Sequence, residues 1–430
     1  MKRKVIIGII VVVLLIATAL IVLFCLNREE VEILPPVEFF DDYSVELSPE
    51  GDLNDVKTAT IKKTSEMLEM YKVFPPIVSQ LVNLEELDFS RTEISDLTAI
   101  QHLKQLKQII SRENGISDLS GFGYLPSLVS LDMETNELSD LRGIENFPNL
   151  VSLNISDNKL SDLRGIENLK KLEYLDLNCN FDLSNLSGIE NLQKLQSLRL
   201  FGNSKLSDLR EVGRLKNLTE LIIGPNRFES FPLEILHLEN LNKLLMESLE
   251  FRSFPDSFYT SGLPIEVLRI GSMHNFDYSS NLPHFHKLEK LRELHLRDDI
   301  PILNINFAKC ERLEEFTYVY RKKIDIADAM KRISRAPKLK RLILSKNRFA
   351  EKGGGISYLP KEIALCDSLE SLVLSDNNIK KIPKSITKLQ NLKLVDLRRN
   401  PIDTIAIKEI EKEMVNTTFY YDRDRGNVLD

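Results

Sequence analysis

Four cysteines, Cys25, Cys179, Cys310 and Cys366, are all that 430 residues contain. They are too few and too scattered for a disulfide framework. Positive charge is also short. Lys and Arg number 57 against 64 Asp and Glu, a net charge of −7, whereas a general nucleic-acid binder shows a basic surface. No nucleic-acid partner is therefore expected. Low-complexity tracts are absent. The common catalytic signatures are absent too: G-x-S-x-G, the P-loop, the kinase set, H-E-x-x-H and C-x-x-C. Gly353-Gly354-Gly355 lacks the lysine and the strand-to-helix setting of a phosphate loop and reads as a flexible insertion. Carboxylate neighbours such as Asp41-Asp42 and Asp298-Asp299 show no sign of a pocket that would shift their pKa. No catalytic residue, cofactor or metal ligand is assigned, and the chain is expected not to be an enzyme.

What is present is a repeated phrase. "LVSLNISDN" at Leu150 returns as "LEYLDLNCN" at Leu172. The template L-x-x-L-x-L-x-x-N-x-L starts at Leu84, Leu106, Leu128, Leu150, Leu172, Leu195, Leu218, Leu241, Ile265, Leu291, Leu313, Leu339, Leu369 and Leu392, fourteen copies in all. The first four steps are 22 residues, the next three are 23, and later steps run from 22 to 30. Self-similarity at this period marks a solenoid. In each copy the alternating apolar residues suit a half-buried strand. A strand this short cannot bury its face alone, so stacked copies build one parallel sheet over one core.

These residues resemble the leucine-rich repeat family from about Phe74 onward. The resemblance implies an α/β solenoid with a parallel sheet on the concave face and short helical or 3₁₀ convex segments. It further implies that Asn136, Asn158, Asn180, Asn203 and Asn226, at the ninth template position, form a ladder bonded to backbone groups of the turns. Leu160, Leu163, Ile166 and Leu169 fill the core from the convex side. Ser161 and Asp162 read as a turn or cap pair. From Phe228 on, "FESFPLEI" and "IKKIPKSI" place a proline where the convex segment begins, so two repeat subtypes are mixed. Between residues 241 and 336 the register is least defined. Leu249, Met273, Asp299 and Arg321 hold the asparagine position there. Cys310 and Cys366 occupy positions that are leucine in other copies and are expected to be buried.

Val5–Leu26 is a run of 22 residues without a charge, preceded by Lys2, Arg3 and Lys4. As a helix it would span a bilayer, with the repeats on the far side of the membrane. A retained signal anchor is the first reading. A signal peptide cut after Ala17-Thr18-Ala19 and a lipoprotein signal ending at Cys25, with Phe24 in place of a small residue, are the alternatives. The expected organisation is 1–27 signal anchor or peptide, 28–56 acidic spacer, 57–83 N-terminal cap, 84–403 repeat array and 404–430 C-terminal cap. The spacer carries ten acids against one base, Arg28. In the C-terminal cap, Ile405, Ile407 and Ile410 predict a short helix, followed by a strand at Thr418–Tyr421.

Alternation sends template positions 3, 5 and 7 onto the concave face. Early copies show Glu86, Asp88, Asp132, Glu134 and Asp176. Aspartate in "LDL" reads as a solvated strand position. Middle copies show Phe201, Ile222, Leu245 and Val267, a candidate contact patch. Late copies show Arg269, Arg297, Arg341, Arg398 and Arg399, a basic end; His295 also faces this side. The candidate partner-binding residues are Phe201, Ile222, Leu245, Val267, Arg269, His295 and Arg297. The repeats are similar to those of bacterial surface proteins, including the internalins in the 22-residue copies. That similarity implies a membrane-anchored, extracytoplasmic protein that binds a protein partner for adhesion or recognition. Two alternatives stand beside it: a cell-envelope enzyme with a metal at His274, His284, His286 and His295, and an envelope scaffold with several partners.

Overall fold

The structure is a computed structural model. It describes residues 37–40, 43–49, 51–64, 72–273, 275–297, 304–321, 324–347 and 355–422. The expected anchor at 1–27 with Cys25, the first part of the spacer, Asp41-Asp42, His274, Asp298-Asp299, Gly353-Gly354 and residues 423–430 lie outside the described residues. Among the described residues no helix is long and apolar enough to cross a membrane.

Each of the fourteen template copies makes one strand. They are β4 (Glu86–Asp88), β5 (Gln108–Ile110), β6 (Ser130–Asp132), β7 (Ser152–Asn154), β8 (Tyr174–Asp176), β9 (Ser197–Leu200), β10 (Glu220–Ile223), β11 (Lys243–Glu247), β12 (Val267–Gly271), β13 (Glu293–Arg297), β14 (Glu315–Tyr320), β15 (Arg341–Lys346), β16 (Ser371–Val373) and β17 (Leu394–Asp396). Every strand opens at the third template position, in the irregular copies as well. There Lys243 pairs with Val267, Val267 with Glu293, Glu293 with Glu315 and Glu315 with Arg341. The strands are parallel and in sequence order, because each copy is too short to do more than lie beside its neighbour.

The leucines are where the template needs them. Leu150, Leu153, Ile155, Leu160, Leu163 and Ile166 have no exposed surface. On the far side of the core, 3₁₀ turns such as Ile144–Asn146 and Ile166–Asn168 close the copies. Gly143 opens the first of these with φ +93°, and a Cβ there would lie 2.3 Å from the Ser120 backbone nitrogen. Only glycine fits such a close approach. Ser161 and Asp162 do not cap the 3₁₀ turn: Gly165 is its N-cap and carries no side chain. Asp162 instead accepts the Arg164 amide at 3.1 Å and pairs with the Arg164 guanidinium. In the later subtype Pro232, Pro255, Pro360 and Pro383 hold the N-cap in extended geometry.

The asparagines form a ladder. Asn158 Nδ2 donates to the Met133 and Ile155 carbonyls at 3.0 and 3.2 Å, and its Oδ1 accepts the Leu138 amide at 2.9 Å. Asn180 does the same with Ile155, Leu177 and the Leu160 amide. Asn136 and Asn203 make equivalent carbonyl bonds, and Asn226 reaches Leu200 and Asn203. Asn114 belongs to the ladder, and Asn377 and Asn400 resume it late in the chain. Each amide therefore spans two copies.

After Asn226 the ladder stops. Leu249 and Met273 take its place, 1% and 2% exposed. Here rings fill the interior: Phe231, Phe251, Phe254, Phe258 and Phe276 pack with centroids 4.5–5.9 Å apart. Short helices α1 (Asp256–Thr260), α2 (Tyr278–Asn281) and α3 (Ile326–Ile333) replace some of the 3₁₀ turns in this stretch.

The ends extend the sheet. β3 (Thr58–Lys63) joins β4 in parallel. β1 (Val37–Phe40) and β2 (Tyr43–Ser48) fall inside the stretch read as a spacer, yet they continue the sheet: β2 pairs antiparallel with β3, and β1 antiparallel with β2. The Tyr43 hydroxyl donates to the Thr92 carbonyl at 3.0 Å, tying this cap to the first copy. At the other end α4 (Thr404–Glu413) is followed by β18 (Thr418–Tyr420), parallel to β17. Ile407 and Ile410 are buried, but Ile405 is 77% exposed because it lies on the outer side of α4. Cys310 and Cys366 are buried in the leucine positions, and burial pushes both thiols up to about 12.

Candidate functional site

Positions 3 and 5 alternate with buried residues on every strand from β9 to β15 and form the exposed face of the sheet, joined by position 7 except where Gly224 and Gly271 are buried there. On that face Ile222 and Leu245 are direct partners across β10 and β11. Leu245 is next to Arg269, and Arg269 is next to His295. Phe201 and Val267 lie diagonally at opposite corners, at position 7 of β9 and position 3 of β12. All four apolar residues are half-buried. The structure brings Ile222 and Leu245 into a pair, with Phe201 and Val267 as corners of a slanting stripe rather than a square patch.

The charges are less one-sided than the sequence suggests. Arg297 pairs with Glu247 at 3.3 Å, Arg341 with Glu315 at 3.6 Å, Arg398 with Asp396 at 2.6 Å and Arg399 with Asp376 at 2.5 Å. The expected basic end is thus neutralised pair by pair. Arg269 is exposed and makes no ion pair among the described residues. His295 is held below the usual histidine value, chiefly by burial; Glu315 and Glu293 act against this and Arg269 acts with it.

Aspartate at position 5 is not simply solvated. Asp88, Asp132, Asp176 and Asp396 each accept the amide two residues on, at 2.9–3.1 Å, and Asn154 does likewise. That amide is then lost to the sheet. The five strands concerned, β4, β6, β7, β8 and β17, all stop at three residues, whereas β9 to β15 run to between four and six. β5 and β16 are also short without such a residue. Asp176 is 5% exposed, and burial raises its carboxyl above the ordinary range. The Tyr174 hydroxyl donates to it at 3.1 Å, and that phenol is pushed up to about 12, mainly by burial. Arg199 lies over the Tyr174 ring at 5.2 Å and between Asp176 and Glu220. Tyr174, Asp176 and Arg199 line a hollow of about 640 Å³ with Arg112, Asp132, Asn154, Phe181 and Phe201.

A second apolar set was missed in the sequence. Val319, Ile343, Val373 and Leu394 are half-buried on the same face. Ile343 and Val373 are direct partners across β15 and β16. Their signal was available in the template positions, but the neighbouring arginines drew the reading to charge.

Of the expected cluster, the described histidines, His284, His286 and His295, do not converge. His295 faces this side and approaches Glu293 at 3.6 Å. His284 and His286 sit in the 3₁₀ turn Leu282–Lys287 behind the sheet; His284 packs on Tyr259, and His286 Nδ1 lies 2.8 Å from the Pro283 carbonyl. Among the described residues no three His, Cys, Asp or Glu side chains are grouped to hold a metal ion.

A stack of L-x-x-L-x-L-x-x-N copies, one strand each, with a shared amide ladder and 3₁₀ turns behind, is the architecture of a leucine-rich repeat solenoid. The family model for paired leucine-rich repeats matches residues 148–191 and 367–409. Among solved structures, a leucine-rich repeat protein of Leptospira interrogans is 26% identical, with 81% of this chain and 93% of that chain covered and a TM-score of 0.51. An internalin, InlF of Listeria monocytogenes, is 20% identical over 81% of this chain and 89% of its own, with a TM-score of 0.49. No curated protein sequence matches the chain.

Proposed function

We propose that this is a membrane-anchored, extracytoplasmic protein that binds another protein, in adhesion or recognition, through the exposed face of its sheet. The observation that carries the reading is the Ile222–Leu245 pair: two aliphatic side chains, partners across adjacent strands, half-buried on a rigid face and rimmed by charged groups. Apolar patches with polar rims tend to be contact sites, and stacked repeats offer extended rigid surfaces for them. The anchoring part is supported by the uncharged run Val5–Leu26 behind Lys2, Arg3 and Lys4. The full chain, solubilised in detergent, is expected to retain a protein partner in pull-down. Phe201→Asp with Leu245→Asp is expected to abolish retention without shifting the melting temperature. Full retention by that folded double variant would remove the face as the binding surface. Labelling of intact cells with a membrane-impermeant reagent tests the location; protection of the repeats from the reagent would contradict it.

A further inference from the structure

The two apolar sets have one layout. Phe201 is at position 7 of β9, Ile222 and Leu245 at position 5 of β10 and β11, and Val267 at position 3 of β12. Val319 is at position 7 of β14, Ile343 and Val373 at position 5 of β15 and β16, and Leu394 at position 3 of β17. Each set slants across four neighbouring strands in the same direction. Equivalent residues are five strands apart, about 24 Å at ~4.8 Å per strand.

The ground between them is polar. Along position 5 it reads Arg269, His295 and Thr317, each the direct partner of the next. Arg297 and Arg341, nearby, are matched by Glu247 and Glu315. Arg269 alone of these arginines has no acid partner among the described residues, and it stands exposed on the face. Between two apolar stripes, a guanidinium that stands exposed and has no acid partner among the described residues suits a carboxylate from outside.

From this arrangement we infer that the face is a two-anchor cradle for an amphipathic α-helix of the protein partner. The helix carries apolar side chains at both ends and a carboxylate between them. The inference rests on the proposed binding role of this face and adds the shape and chemistry of what it holds. A helix laid across the strands rises about 5.4 Å per turn, close to the strand spacing of about 4.8 Å. Successive turns therefore meet successive strands. An extended segment presents same-side residues about 6.8 Å apart and falls out of step. The distance from Ile222 to Val373 is six strand spacings, about 29 Å, which about 19 helical residues cover. Arg269 lies two strands in from Ile222, so the carboxylate belongs two turns, about seven residues, inward from that anchor, where it shares the anchor's face of the helix.

The probe is a synthetic, side-chain-stapled helical peptide of about 21 residues, long enough for both anchors, with a leucine cluster at each end and a glutamate at the predicted place. Its binding to the full chain in detergent is read by fluorescence anisotropy. Saturable binding is expected. It weakens at least about tenfold with Leu245→Asp and equally with Val373→Asp, the cost of one buried anchor. Val373→Thr, which keeps the shape, weakens it less with the melting temperature unchanged. Wild type prefers the glutamate peptide over a lysine version, and Arg269→Glu reverses that preference. Failure of the probe to bind overturns the inference. So does an unchanged preference in Arg269→Glu, or self-association that Val373→Asp dissolves, since a second copy would then fill the cradle. If retention of the native partner falls with Leu245→Asp but not with Val373→Asp, the face remains a binding surface and only the second anchor is lost.

Discussion

Two stretches of this chain reach the same geometry by opposite chemistry. From Asn114 to Asn226 the copies are locked by buried amides, each bonded to the backbone of its own copy and its neighbour. From Leu249 to Phe285 the ninth-position amides are gone and packed rings hold the same parallel register, with Asn281, off the ladder, accepting the Phe254 amide and the Tyr259 hydroxyl. The strand spacing is a property of the backbone ladder, so the interior is free to solve the packing in either way. The solutions differ in tolerance. A hydrogen-bonded amide admits no substitute of the same shape, whereas an aromatic cluster can shift to fill a modest gap.

That contrast can be broken or sharpened by substitution. The largest loss is expected in the aromatic stretch, where Phe254 touches Phe231, Phe251, Phe258 and Phe276. Phe254→Ala should cost about 4 kcal/mol in urea unfolding, from lost burial plus the cavity left behind. Asn180→Ala should cost about 2 kcal/mol, because it leaves the buried Leu160 amide without its acceptor and takes one of two asparagine donors from each of the Ile155 and Leu177 carbonyls. A loss below about 1 kcal/mol would mean that the ladder is incidental to stability. The conservative changes should then separate the two regions. Phe254→Leu is expected to recover most of the alanine loss, while Asn180→Asp recovers none, since a carboxylate offers two buried carbonyls no donor.

The smallest effect is on the sheet face. His295 is depressed below its ordinary value, so the folded chain prefers the neutral ring. Stability tied to that preference is present above about pH 6.5 and is lost as pH falls through the lowered value. Glu293 and Glu315 oppose the depression and Arg269 adds to it. The unfolding midpoint should therefore drop on going from about pH 7.5 to about pH 5, and His295→Gln should flatten part of that drop. An identical profile in the variant would assign the acid sensitivity to other groups.

Much of this was legible in the leucines. All fourteen strands open at the third template position, even where Leu249 and Met273 break the asparagine rule, because burial of positions 4 and 6 fixes the register whatever stands at position 9. The helix and strand after the last copy were readable from Ile407, Ile410 and the Thr418 segment. β1 and β2 were not. Their pairing depends on an open sheet edge supplied by β3, and the ten acids around them masked the alternation. The candidate stripe at Phe201, Ile222, Leu245 and Val267 was readable from position alone. Its counterpart at Val319, Ile343, Val373 and Leu394 was hidden by Arg341 and Arg398, whose charges matter less once Glu315 and Asp396 are seen beside them. The role of aspartate at position 5 needed geometry too, since a bond to the amide two residues on leaves no periodic trace.

The shared amides bear on how the molecule comes apart. A copy in the middle of the first half cannot open without withdrawing its asparagine from both a carbonyl and an N–H of the copy before it, so local breathing there is penalised twice over. Fraying should start at the two rims, where a copy has a single neighbour to disappoint, and at the seam after Asn226, where the amide ladder ends. Under mechanical tension or a trickle of denaturant, hydrogen exchange should reveal that first half as one slow-exchanging block bounded by the seam.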